Sequence, residues 1–163
     1  MFATEEDRVE HLERLGFMVA STEGSLVPMI FCDIDGENTC MAAPLNGTDD
    51  KNTLLQFMQK LILHKRISFF CIVLESWITI IPEHLRDKVD MDELMKVPGS
   101  KRPFTHDIVM VTFSSAKEEL TYFAKIAVAK DGSRSLEKWE KQDYSNAVGR
   151  FANIWTNSIA VTN

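Results

Sequence analysis

Apolar and polar positions follow two rhythms along this chain. The first is helical: behind Thr4-Glu5-Glu6-Asp7, Val9, Leu12 and Leu15 recur at three-residue spacing. Thr4 can cap such a helix, Asp7 sits at the capping-box position, and Gly16 is the expected stop. Two apolar runs follow, 29–34 and 39–43, parted by Asp35-Gly36. An Asp-Gly pair between apolar runs predicts a hairpin, because both central residues of a type I′ turn need positive φ. Thr48 or Asp49 should then cap a helix reaching His64, with Leu54, Leu55, Met58, Leu61 and Ile62 as its apolar stripe. Residues 67–81 read as one long strand. Phe70, Ile72, Leu74, Ile78 and Ile80 point one way, and Phe69, Cys71, Val73, Trp77 and Ile81 the other. A strand that is apolar on both faces belongs in the middle of a sheet covered on both sides.

Pro82 ends that strand. The charged stretch 83–97, closed by Pro98-Gly99, reads as an excursion between two paired strands. Residues 107–113 and 120–129 predict a second hairpin across 114–119, and Asp131-Gly132 turns the chain out. Tyr144, Val148, Phe151, Ala152 and Trp155 then mark an amphipathic helix. The expected fold is a single α+β domain over residues 1–163. Its mostly antiparallel sheet has about five strands, from two hairpins and the long central strand, with about three helices packed on it.

Composition narrows the functional classes. The chain has 24 acidic and 18 basic residues, a formal charge of -6, and its basic groupings stop at His64-Lys65-Arg66 and Lys101-Arg102. Nucleic-acid binding draws on clustered Lys and Arg, so it is not expected. The apolar run 67–81 is too short to cross a bilayer and carries Glu75, so no membrane role is expected. The first residues lack the basic and apolar regions of a signal peptide. Cys32, Cys40 and Cys71 are odd in number and lie in apolar segments, which reads as buried reduced thiols. These features together point to the cytoplasm.

Asp33-Ile34-Asp35-Gly36 resembles the opening of the haloacid-dehalogenase catalytic loop, but the setting departs from it. Glu37 stands where that loop has Thr, and the adjacent acidic pair Asp49-Asp50 follows too soon. A calcium loop fails too, since the Gly comes two positions early and Pro44 occupies the twelfth position. Turn chemistry is the simpler account. Cys32 and Cys40 could approach each other across the hairpin with Cys71 nearby, yet the spacings of a zinc site are absent. Glu75 is the anomaly, a carboxylate within a strand apolar on both faces, where an unpaired charge costs several kcal/mol. It is either a site carboxylate, joined by His84, His106 or Asp107, or a strand-end residue paired with Arg102 or Lys125 or facing a subunit partner.

The segments FFCIVLESWITIIPEHL and KRPFTHDIVMVTFSSAKEELTYFAKI, about residues 68–127, resemble a small uncharacterised family of phage and bacterial genomes. In that family an apolar strand ends in Glu-Ala/Ser-Trp, and an Arg-x-Glu after a polar loop opens the next strand. Glu75, Ser76 and Trp77 match the first element. Thr105-His106-Asp107 stands in place of the second, with Arg102 as a substitute for its Arg. The resemblance implies the fold and a phage setting, without an activity.

The expectation is therefore a non-catalytic domain that binds a protein partner or assembles as a homo-oligomer, with Trp77 and Arg102 as binding candidates. No metal or cofactor is expected. The alternative is a small divalent-metal hydrolase or nuclease-like enzyme using Glu75, His84, His106 and Asp107. An enzyme would gather those side chains in one cleft; a binding module would neutralise Glu75 with a basic partner.

Overall fold

A computed structural model of the protein describes residues 2, 4–43 and 47–142. The first helix, α1 (Glu5–Ser21), starts as the sequence predicts. Thr4 Oγ1 accepts from the Asp7 N–H and the Asp7 carboxylate accepts from the Thr4 N–H, each at 3.1 Å. Gly16 does not stop it. Burying one large aliphatic side chain stabilises by about 1.5–3 kcal/mol, while a helical Gly costs only about 1 kcal/mol relative to Ala. Continuing past Gly16 places Val19 on the same buried stripe as Leu12 and Leu15, so burial outweighs propensity. The Ser21 and Thr22 hydroxyls then bond back to the Phe17 and Met18 carbonyls and close the last turn.

Strands β1 (Met29–Ile34) and β2 (Glu37–Ala42) form the expected hairpin. Asp35 and Gly36 take φ of 55° and 87°, the positive values the turn requires. The second helix, α2 (Thr48–Leu63), begins one or two residues earlier than a cap at Thr48 or Asp49 implies, with Gly47 at its N-cap and no side-chain cap. Strand β3 (Phe69–Thr79) leads through the 3₁₀ turn Glu83–Lys88, the short helix α3 (Met91–Lys96) and the 3₁₀ turn Gly99–Lys101 into β4 (Thr105–Ser115). The stretch after Pro82 is thus an excursion, since β3 and β4 pair directly over their whole length. Strands β5 (Glu119–Val128), β6 (Arg134–Leu136) and β7 (Glu140–Gln142) complete the sheet.

The seven strands of the described residues all pair antiparallel, in the order β2-β1-β3-β4-β5-β6, with β7 also on β5. The protein is a single α+β domain. The sheet exceeds the expected five strands because β6 and β7, three residues each, are too short to show a period-2 pattern. The predicted helix through Tyr144 and Trp155 lies outside the described residues.

The two faces of β3 have different covers. Phe70 and Ile72 pack with Ile30, Cys32 and the Met58, Leu61 and Ile62 stripe of α2. Cys71 and Val73 pack with Val109, Val111, Phe113 and the Leu12, Leu15 and Val19 stripe of α1. Two helices on opposite faces of one sheet explain why residues 70–74 of this strand are apolar on both faces. No helix among the described residues is long and apolar enough to cross a membrane.

Candidate functional site

Residues 70–73 of β3 have strands on both edges, but β1 pairs only as far as Met29 opposite Val73. Beyond that point the chain entering β1 leaves the ladder. Leu26 turns into the α1-side core, where it is buried, and its N–H donates to the Glu75 carboxylate. The half-strand 74–79 is therefore paired on one side only among the described residues. A groove of about 850 Å³ opens there, bounded by Gly24, Ser25, Leu26 and Pro28, by Lys51 of α2, and by Arg134 and Val128 of the far strands.

Glu75 forms part of the groove wall and is already engaged. Its Oε1 accepts from the Leu26 N–H at 2.8 Å and from the Arg134 guanidinium at 2.5 Å. Arg134 also donates to the Gly24 carbonyl. The two charged side chains keep only 17% and 14% of their exposure, so water screens the pair weakly. The carboxylate thus ties the 24–26 segment, β3 and β6 together. A basic residue does neutralise Glu75, but it is Arg134, in neither of the expected places. Arg134 starts the return strand after Asp131-Gly132, opposite Val128. In the sequence that turn only leads the chain out, and the three-residue length of β6 hid the returning strand.

The other candidates are dispersed. Asp107 lies opposite Trp77 on β4 and lines the same groove. His106 is opposite Ile78, and alternation puts it on the other face of the sheet. His84 sits in the 3₁₀ turn after Pro82. Arg102 is turned away, with its guanidinium donating to the Val97 and Met95 carbonyls and holding the excursion together. Among the described residues no three His, Cys, Asp or Glu side chains gather as a metal site. Trp77 is 57% exposed, with one side of its ring against Gly99, where a Cβ would come within 3.1 Å of the indole.

The aspartates of the hairpin have structural roles. Asp33 accepts from the N–H and hydroxyl of Ser68, and Asp35 from the Arg66 guanidinium, which holds the Asp35 carboxyl below its usual range. Strand β1 is antiparallel to both neighbours, unlike a phosphatase nucleophile strand.

The cysteines depart from expectation. Opposite residues share a face, so the register Cys32↔Thr39 and Phe31↔Cys40 puts Cys32 and Cys40 on opposite sides of the sheet. Cys40 is exposed, not buried. Cys71 has a histidine that the sequence did not reveal: His11 Nε2 lies 3.9 Å from its Sγ, 60 residues away. Burial pushes the Cys71 thiol well up, while burial and Arg14 bring His11 down to about 4. Both shifts favour the neutral pair, the reverse of an activated thiolate and imidazolium. His11 instead packs against Phe2 and Phe31, at 4.6 and 4.8 Å between ring centres. In comparisons with known proteins, no family model, no curated protein and no solved structure gives a significant match to this chain.

Proposed function

We propose that this protein is a non-catalytic binding module whose partner sits in the groove beside residues 74–79 of β3. One observation carries the reading. An engaged carboxylate lies in a groove lined by two exposed apolar side chains, Trp77 at 57% and Val128 at 65%. A general base or metal ligand needs a free oxygen lone pair and a proton path. The Glu75 oxygen facing Arg134 is instead held by two donors. Exposed aromatic and aliphatic side chains around a recess are what a docking surface offers. A phage setting belongs to this reading on the strength of the Glu-Ser-Trp resemblance alone.

The alternative, a divalent-metal hydrolase, draws on Asp107 sharing the groove with Glu75. Peptide-display selection against the whole chain, counter-selected on the double variant Trp77→Ala and Val128→Ser, tests the binding reading. Enriched ligands should lose affinity for the variant. No enrichment, or binding indifferent to both changes, overturns it. So does stoichiometric Mn²⁺ binding in calorimetry that Glu75→Gln abolishes while the circular dichroism is unchanged.

A further inference from the structure

The groove also has a hydrogen-bonding pattern. In an antiparallel ladder each residue sends its N–H and C=O to the same side, and successive residues alternate sides. The Ile80 N–H donates to the Phe104 carbonyl at 3.0 Å, just past the last β3–β4 pair, so even-numbered residues of β3 bond towards β4. The odd-numbered ones face the other way. At Cys71 and Val73 that side is taken by β1; at Glu75, Trp77 and Thr79 it is vacant among the described residues. Three N–H and three C=O groups thus line the open edge, and no backbone partner meets them among the described residues.

The edge is recessed. Glu75 and Trp77 line the groove from the α1 face of the sheet, and Leu74 and Ser76 from the α2 face. The 24–28 segment flanks the first pair, and Lys51 stands at the start of α2. A slot walled on both faces admits one extended chain more readily than the edge of a second folded sheet. A second copy would bring its own 24–28 segment and its own share of a -6 charge. The Lys51 ammonium has no ion-pair partner among the described residues, so an acidic side chain on the incoming chain would complement it.

Resting on the binding reading above, we infer that the partner is an extended peptide segment that adds to β3 as a further strand. It lies on the line β1 would have continued, with an aromatic or β-branched side chain over Trp77 and a carboxylate towards Lys51. Strand addition of this kind draws affinity from the main chain and selectivity from alternate side chains. The half-strand 74–79 is about 17 Å long at about 3.3 Å per residue, which matches a ligand of five or six residues.

The test uses the peptide best enriched in the selection above, resynthesised with single N-methyl groups along its backbone. Binding should weaken roughly tenfold or more at every second amide, those facing β3, and stay unchanged at the amides between. In the protein, Thr79→Pro removes one outward N–H and spares the β4 ladder, since edge positions tolerate Pro. It should weaken the peptide beyond the effect of Thr79→Val, which gives up the same Thr79–Thr105 hydroxyl bond to β4 but keeps the outward N–H. A peptide indifferent to N-methylation and to Thr79→Pro, yet lost on Trp77→Ala, overturns strand addition and leaves the groove as a side-chain docking site. Failure of the selection overturns both readings. A dimer in sedimentation that Thr79→Pro dissolves assigns the edge to a second copy and overturns the peptide.

Discussion

Two halves of one strand, β3, have opposite surroundings. Residues 70–73 are flanked by β1 and β4 and covered by both helices, and Phe70, Cys71 and Val73 are fully buried. Residues 74–79 keep only β4, and Trp77 is more exposed than buried. The difference begins where the incoming chain turns Leu26 into the core instead of pairing it with β3. That turn stabilises the α1-side core through Leu26 and leaves an open edge beside it. Glu75 marks the boundary, because its side chain accepts the N–H of Leu26 where the β1–β3 ladder has ended.

Mutations that damage the covered half should show the largest effect. Phe70→Ala empties a site with no solvent access and should cost about 3–5 kcal/mol in urea unfolding, with little change in slope. A loss below about 1 kcal/mol would mean that the two halves are less different than their burial implies.

The boundary comes next. Glu75→Ala leaves the Leu26 N–H and the Arg134 guanidinium without their acceptor, and should cost about 2 kcal/mol. Arg134→Ala should cost a similar amount, and the double variant clearly less than the sum, since both changes break one network. Additive losses would separate the two residues and remove Glu75 from the role of a tie between β3 and β6.

His11 probes the covered side through pH. Its folded-state pKa of about 4 lies below the unfolded value of about 6.5, so between those values the unfolded chain binds the extra proton. Stability should therefore fall as pH drops from about 6.5 to about 4 and level off below. Partial exposure of the ring limits the His11 share to about 1–2 kcal/mol. Wild type compared with His11→Phe, which keeps an aromatic ring there, isolates that share. An unchanged pH profile would show that the imidazole is not desolvated.

The smallest stability effect belongs to the open half. Trp77→Ala should alter unfolding by less than about 1 kcal/mol, because most of the ring is already in water. The same change should abolish binding of selected peptides. A large stability loss would make Trp77 a core residue and weaken the docking reading.

The sequence by itself determined much of this. The two helical stripes, the Asp35-Gly36 hairpin, the two-faced central strand and the charged excursion all follow from local periodicity and turn chemistry, which act over a few residues. It also exposed Glu75 as a misfit, because a carboxylate among apolar neighbours is visible without knowing the fold. Only the tertiary structure decided what satisfies that misfit. Arg134 lies 59 residues away in a strand too short to have a pattern, and Leu26 contributes a backbone N–H that every residue but proline carries. The run of α1 past Gly16, the opposite faces of Cys32 and Cys40, and the contact of His11 with Cys71 likewise depend on which surfaces meet. The open edge of β3 is of the same kind: no residue within 74–79 announces it, because it exists only where a distant segment declines to pair.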